Sequence, residues 1–432
     1  MKISVVGLWH LGSVTAACLT AAGHEVTGYD ANADVTRGLQ EGRAPVFEPG
    51  LDNLIRAGIA KGVLRFTSDP AEALRGSEIV WITYDTPVDD DDNADVEFVI
   101  RSVESLYPSM AAGSLIMISS QVPVGSTARL EASARGRDLT FAYSPENLRL
   151  GKAIDVFTHP DRVVVGTRDS RDRDRVARLF ASFTDRIEWM SVESAEMTKH
   201  ALNAFLATSV AFINEIAAIC ENSGADAKEV ERGLKSEKRI GPSAYLGPGA
   251  AFAGGTLARD VVFLSERAAN AGLPAHLLGG VKRSNDAHRA WAARRLHELL
   301  GGVGRKRIAI WGLTYKPGTD TLRRSLAIEL CQSLLADGAR ICAHDPAVKS
   351  LPDGLAAGIE LAPSAVDAVR DADALVVMTE WPDYRQVDAG AVADAMKGRL
   401  ILDANRFLQQ QFSNDPRVVY VTVGATVGKA LR

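Results

Sequence analysis

The sequence predicts an α/β protein with two doubly wound parallel-sheet domains, joined by a helical middle that carries one long central helix. Three observations predict this class. The chain opens on a strand, a glycine turn, a helix and a second strand ending on aspartate, over residues 2–30. The same plan returns from Arg305 to Asp345, where Gly312 answers to Gly7 and Asp345 to Asp30. Short apolar runs alternate with helical stretches elsewhere, as parallel strands alternate with crossover helices. The expected domains are residues 1–192, 193–300 and 301–432.

Taken in order, "KISVVGL" is a β-rich run, "GSVTAACLTAAGH" a helix of small residues closed by Gly23, and "EVTGYD" the next strand. An apolar segment after Lys2 that ends near Cys18 has a faint signal-peptide look, but residues 2–30 read better as mature structure. Buried-strand runs follow at 77–83, 113–120, 139–144 and 161–167. The middle opens with "SAEMTKHALNAFLATSVAFINEIAAICENSG", helical in character, with Ser194 as a candidate cap and Gly224 as a candidate stop. Residues 238–260 read as loop, and 274–301 as a second helical stretch. Strands return at "KRIAIWGL" and "GARICAHDP", then at 372–380 and 399–405.

Composition sets limits on function. The chain has 432 residues, 46% apolar and 24% charged, with a formal net charge of −5. That length holds two to four domains. The charge supplies no basic footprint for nucleic acid. No apolar run reaches the ~18 residues of a membrane span, so neither nucleic acid nor membrane is an expected partner. Cys18, Cys220, Cys331 and Cys342 form no C-x-x-C and no metal-ligand spacing. They read as small buried hydrophobes of a reducing, cytoplasmic protein.

The stretch "VVGLWHLGSV", residues 5–14, is a phosphate-cradling loop of the G-x-G-x-x-G kind with Trp9 in the second glycine's place. Asp30 stands 18 residues after Gly12, where a carboxylate bonds a ribose 2′-hydroxyl and repels a 2′-phosphate. This favours NAD over NADP. A strand-end aspartate serving a turn, in a domain that has lost its dinucleotide, is the alternative that Trp9 leaves open.

Landmarks along nearly the whole chain carry a resemblance to the UDP-glucose/GDP-mannose dehydrogenases. "APVFEPGL" (44–51) resembles P-I-x-E-P-G-L, and "QVPVGST" (121–127) resembles T-V-P-V-G-T. "SPENLRLGKA" (144–153) resembles N-P-E-F-L-R-E-G-x-A, and "EMTKHALNAF" (196–205) the helix with K-x-x-x-N. "RIGPSAYLGPGAAFAGGTLARD" (239–260) is similar to the nucleophile segment, and "LTYKPGTDTLRRS" (313–325) to F-K-x-x-T-x-D-x-R-x-S.

The resemblance implies two Rossmann-like domains and oxidation of a sugar C6 alcohol to a carboxylate with two NAD+, through a cysteine-held aldehyde. It implies that Lys199 and Asn203 polarise the reacting oxygen and that Asp260 holds a water. Glu146 is implied in hydrolysis of the acyl intermediate. The implied cofactor residues are Gly7, Trp9, His10, Leu11, Gly12, Asp30, Thr86 and Gln121. The implied substrate residues are Glu146, Leu148, Lys199, Asn203, Arg239, Phe252, Gly255, Lys316 and Arg406, with Arg239 reaching a neighbouring subunit. A homodimer through the 194–223 helix is also implied.

The departures fall on functional positions. Thr256 stands in the cysteine's place, Gln121 replaces a threonine, Leu150 replaces a second glutamate, and Asn405 takes an arginine's place with Arg406 one residue later. A thiol of pKa about 8.5 supplies thiolate at neutral pH, whereas a threonine hydroxyl needs a base. The sequence therefore suits a single two-electron oxidation of a UDP-glucose-like sugar nucleotide. Direct oxidation of an aldehyde hydrate to the acid, NAD-recycling epimerisation and non-catalytic sugar-nucleotide binding are the alternatives.

Overall fold

The computed structural model describes residues 1–87, 94–146, 148–253 and 255–426. The chain divides into two compact units, Met1–Ala201 and Leu202–Arg432. The first unit holds strands β1 (Lys2–Val6), β2 (Glu25–Tyr29), β3 (Leu64–Thr67), β4 (Ile79–Ile82), β5 (Ser114–Ile118), β6 (Leu139–Tyr143), β7 (Val163–Thr167) and β8 (Ile187–Met190). Its sheet runs β3-β2-β1-β4-β5-β6-β7-β8. The second unit holds β9 (Arg307–Trp311), β10 (Arg340–His344), β11 (Ile359–Leu361), β12 (Ala374–Val377), β13 (Leu400–Asp403) and β14 (Val419–Val421), in the order β11-β10-β9-β12-β13-β14. The first six strands of each unit thus share one order, as the internal repeat predicts.

The continuous apolar runs are explained by burial on both faces. In the first unit, Ile3, Val5, Trp81 and Met117 pack against Val14, Cys18 and Leu19 of the first helix, His10–Ala21. Val6, Val80, Ile82 and Ile118 pack on the opposite face with Val99, Val103 and Leu130. In the second unit, Ile308, Ile310 and Leu402 face Cys331 and Leu334, while Ala309, Trp311 and Ile401 face Val369, Tyr384 and Phe412.

The structure corrects four expectations. The first sheet is not wholly parallel: β6 pairs with β7 antiparallel, Ala142 opposite Thr167 and Tyr143 opposite Gly166. A parallel return needs a crossover that carries the chain back across the sheet. Between these strands the one helix among the described residues is the six-residue Ala153–Thr158, so the chain re-enters reversed. Second, residues 256–260 are not loop but the start of the helix Thr256–Asn270. Third, the long helix spans Val192–Ser223 and is capped by Ser191, not Ser194: the Ser191 hydroxyl accepts the Ser194 N–H at 3.2 Å. Gly224, with φ +83°, ends the helix as expected.

Fourth, this helix is long and apolar enough to cross a membrane by length and composition alone, with a mean hydropathy of 1.5 over its most apolar window. Alanine supplies much of that hydropathy. Ala204, Ala207 and Ala211 are buried against Val261 and Val281, and Ala217 lies in the core of the second sheet. Close packing of small residues is the role of a core helix.

Candidate active site

The cofactor side of the first unit is built from β1, the first helix and β2. Gly7 has φ +89°, and a Cβ there would lie 2.7 Å from the Tyr84 ring. A Cβ on Gly12 would lie 1.9 Å from the Gly7 carbonyl oxygen. Both glycines are therefore required by the turn. Position 9 carries no such demand. Trp9 takes φ −73° and ψ −150°, an extended backbone open to any residue, and half of its surface faces solvent. It precedes the first helical residue without a side-chain cap, so Leu11 and its neighbours begin the helix with uncapped N–H groups. Such an N-terminus favours an anion.

Asp30 closes the cradle. Its Oδ2 accepts the Leu8 N–H at 2.8 Å and its Oδ1 the Asn32 N–H at 2.9 Å. A carboxylate has about four acceptor sites, which leaves two for ribose hydroxyls. Thr86 and Gln121 also meet, the Thr86 hydroxyl donating to the Gln121 carbonyl at 2.7 Å. His10 Nε2 lies 2.9 Å from Glu48 Oε2, a buried carboxylate that also accepts Gly151 N–H and Ala153 N–H, both at 2.8 Å. The glycine cradle and the half-used carboxylate fit an NAD dinucleotide.

The counterpart in the second unit does not offer the same site. Gly312 repeats the turn with φ +89°. Asp345, however, is 3% exposed, and its Oδ2 already accepts Leu313 N–H, Thr314 N–H, the Thr314 hydroxyl and the Trp381 indole N–H, at 2.7–3.1 Å. Its carboxylate is committed to holding the turn.

The long helix carries Lys199 and Asn203 one turn apart, on one face. In the first unit the Lys199 ammonium donates to the Glu146 carbonyl oxygen at 2.5 Å. Burial pushes the Glu146 carboxyl up to about 7; the Lys199 charge opposes this and Asp85 adds to it. Leu148 follows in the same loop, packed against the core beneath the first helix. Glu196 stands three residues before Lys199 in the same helix. It is fully buried and accepts Gly125 N–H, Thr127 N–H and the Thr127 hydroxyl at 2.6–2.9 Å, tying the helix to the 121–127 segment.

In the second unit the Asn203 amide donates to Asp260 in a short hydrogen bond, both side chains being buried. Thr256 is the first residue of its helix, exposed, one turn before Asp260, and Gly255 precedes it with φ +109°. The arginine Arg324 stands beside Gly255, its Nη1 3.8 Å from where a Cβ would lie.

Segment 246–252 is pinned by amides and an imidazole that the sequence reading did not assign. Asn214 Oδ1 accepts Gly249 N–H at 3.0 Å, and His288 Nε2 lies 2.8 Å from the Gly249 carbonyl oxygen. Asn285 bonds both the Phe252 N–H and its carbonyl at 2.9 Å. Asn405 Oδ1 accepts Ala250 N–H at 2.7 Å. Arg406, expected on substrate, is held elsewhere: its guanidinium grips Asp226 through two hydrogen bonds at 2.8 and 3.1 Å, with the side chain 9% exposed. Arg239 is exposed and bonds only locally, to Glu237. Lys316 lies 5.5 Å from the centre of the Tyr315 ring.

All four cysteines are buried, and burial pushes the thiols of Cys18 and Cys331 up to about 12 and that of Cys342 to about 11. The Cys220 thiol is raised as well. None is a ready thiolate.

Fold and site define the class, a dinucleotide-dependent α/β oxidoreductase. Family profiles of the UDP-glucose/GDP-mannose dehydrogenase family match three segments: the NAD binding domain over residues 1–184, the central domain over 193–287 and the UDP binding domain over 309–410. UDP-glucose 6-dehydrogenase of Pseudomonas aeruginosa is 33% identical over 442 residues, covering 98% of this chain and 97% of that one. UDP-glucose 6-dehydrogenase YwqF of Bacillus subtilis is 34% identical, with 98% of each chain covered. Among solved structures, a UDP-glucose dehydrogenase from Pyrobaculum islandicum superposes with a TM-score of 0.82 at 29% identity, covering 99% of this chain and 95% of that one. The chain belongs to the UDP-glucose/GDP-mannose dehydrogenase family, and it is an NAD-dependent oxidoreductase acting on a CH–OH group of a nucleotide sugar.

Proposed function

We propose that this enzyme removes two electrons from a hydroxyl, at C6, of a UDP-glucose-like sugar nucleotide and releases the carbonyl product. The observation that carries the reading is the hydroxyl of Thr256 at the head of its helix, in a chain whose cysteines are all buried with raised thiol pKa values. A threonine hydroxyl without a base forms no acyl-enzyme. One oxidation needs only an oriented alcohol, donors for the developing oxyanion and a proton acceptor. Bound NAD+ supplies the hydride acceptor. The resemblance assigns Lys199 and Asn203 to the reacting oxygen; within the second unit Asp260 orients the Asn203 amide, and within the first Glu146 is the carboxylate with a proton affinity suited to neutral pH.

A second reading keeps the acid as product, through the aldehyde hydrate. The Glu146 carboxyl at about 7 favours it, since such a group is a competent base for water. Product mass and NADH yield separate the two. One NADH per sugar and a product lighter by two hydrogens support the first reading. Two NADH and a carboxylate product overturn it. In Thr256→Cys, a thiol at a helix N-terminus has a lowered pKa, and the NADH yield should move towards two.

The same reading extends to organisation. The domain limits 1–192, 193–300 and 301–432 are proposed as the cofactor, helical and nucleotide-sugar parts. A homodimer through the long helix is supported by its exposed Phe205, Phe212 and Ile219, which recur every seven residues on one face. Asn405, which holds the 246–252 segment, is the better candidate than Arg406 for the substrate side of the second unit. Supply of polysaccharide precursors in the cytoplasm, where the four cysteines stay free, completes the proposal.

A further inference from the structure

Three stretches of the first unit that lie far apart in sequence meet at a buried carboxylate, that of Glu48. Its side chain is 1% exposed. Oε1 accepts Ala153 N–H and Oε2 accepts Gly151 N–H, both at 2.8 Å, and Oε2 also lies 2.9 Å from His10 Nε2. A carboxylate only accepts, so the imidazole is the donor. Glu48 projects from a stiff base. Asp52 Oδ1 accepts Ala44 N–H at 2.9 Å, the Glu48 carbonyl accepts Leu51 N–H at 3.1 Å, and Gly50 takes φ +83°. The helix Leu51–Ala60 follows, with Leu51 and Ile55 fully buried in the same core as Val14 and Cys18 of the first helix.

The partners of Glu48 belong to the two halves of the chemistry. His10 opens the first helix, whose uncapped N–H groups favour the phosphates of the dinucleotide, and Leu8, two residues earlier, is bonded to Asp30. Gly151 and Ala153 end the loop that carries Glu146. That loop is fixed at its start by hydroxyls: Ser119 donates to the Ser144 carbonyl at 2.6 Å, and Ser144 to the Val164 carbonyl at 3.0 Å. At its end Lys152 gives the helix Ala153–Thr158 no side-chain cap, and Glu48 bonds the orphan N–H groups from 105 residues earlier. A Ser, Thr, Asp or Asn at position 152 is the local way to cap such a helix. A carboxylate brought from another segment, and shared with the cofactor helix, also sets the distance between that helix and the loop. We propose that Glu48 is a positioning residue, which fastens the loop carrying Glu146 to the head of the cofactor helix through His10, so that dinucleotide bound at the cradle holds the proton acceptor in place. The proposal rests on the reading of Glu146 given above.

The test has two arms. Amide hydrogen exchange on the full chain reads the link without turnover. In the parent, saturating NAD+ should slow exchange of the Gly151 and Ala153 N–H groups severalfold. His10→Phe keeps both of these bonds to Glu48 and cuts only the tie to the helix, so saturating NAD+ should leave their exchange unchanged. Equal protection in parent and variant, or none in the parent, overturns the proposal. The second arm is kinetic. Glu48→Gln keeps the size of the side chain but puts an N–H₂ donor where an oxygen accepted. It should lower kcat about tenfold, within the cost of a small misplacement at the reacting groups. Burial holds the Glu146 carboxyl at about 7, with Lys199 opposing and Asp85 adding, and the wall of the adjoining pocket carries Arg149, Asp155, His159, Asp161 and Arg162. A looser loop admits water to Glu146, so the rise of activity with pH should move below its position in the parent. An unaltered kcat, or a lowered kcat with the rise unmoved, overturns the positioning role. Where Glu48→Gln fails to fold, His10→Phe carries the same measurement, with a smaller loss and a shift in the same direction. If the parent oxidises no sugar nucleotide, the reading of function fails instead, and the exchange arm still decides the fastening.

Discussion

At the scale of single residues, Trp9, Thr256 and Asn405 have different structural consequences. Trp9 is harmless to the turn, because its backbone is extended and its indole points partly into solvent, whereas Gly7 and Gly12 leave no room for a Cβ. Thr256 places a hydroxyl, not a thiol, at the first position of its helix. Asn405 holds a loop through its side-chain amide. Glu146 gives the sharpest prediction at this scale. Its folded carboxyl, raised to about 7 from the model-compound value of 4.5, binds its proton more tightly than in the unfolded chain. That contribution to stability is complete below about pH 4.5 and is lost as the pH rises through 7. Glu146→Gln should therefore match the parent in stability at pH 4. By pH 8 it should exceed the parent by on the order of 3 kcal/mol, the worth of such a shift. Denaturant melts at the two pH values check this. Activity that uses Glu146 as a proton acceptor should rise through pH 7 in the parent and lose that rise in the variant.

At the scale of elements, the long helix connects chemistry with architecture. Its entry is fixed by the Ser191 cap and by Glu196 bonded into the 121–127 segment, its exit by Gly224, and its length by alanine packing. Ser191→Ala should cost about 1 kcal/mol of stability, the usual worth of such a cap, read as a fall in the urea midpoint. Replacing Phe212 with Asp should convert a dimer to a monomer in sedimentation, with the fold kept, because the residue is exposed in the single chain. A dimer that survives this change counts against the proposed interface. Every strand expected from the sequence is present. The four that were not expected, β3, β8, β11 and β14, are the four sheet edges. An edge strand is short and buried on few sides, so its residues lack the unbroken apolar run that marks a central strand. The helix at Thr256 was missed because Gly255 and the glycines before it read as loop, and only the contacts of Val261 and Asp260 reveal the element.

At the scale of the whole molecule, the two units repeat one plan and use it differently. Asp30 keeps acceptor capacity and stands at a cradle with uncapped N–H groups, while Asp345 is filled by its own turn and by Trp381. The dinucleotide should therefore bind once per chain, and NAD+ should be preferred, since a 2′-phosphate meets the Asp30 charge. Calorimetry on ligand-free protein should give one site for NAD+. Saturating NAD+, at about 100 times its Kd, should add roughly 2.7 kcal/mol of stability, with NADP+ giving far less. Two sites per chain, or equal stabilisation by both nucleotides, would contradict the assignment of Asp30 and Asp345.

The sequence by itself determined the architecture, the repeat and the family, because these rest on local signals. Apolar runs mark two-sided strands, glycines mark turns without room for a side chain, and spaced motifs keep their order along the chain. It also determined that no thiol is supplied at position 256. The tertiary structure alone decided which polar groups are available for chemistry. Asp345 is spent and Asp30 is not, Arg406 belongs to Asp226, Asn405 and Asn285 hold the 246–252 segment, and burial raises the carboxyl of Glu146. A side chain's hydrogen-bond partners and its burial are set by segments distant in sequence. Those contacts leave no local pattern in the chain, and they fix both the proton affinity of a group and its freedom to bind a ligand.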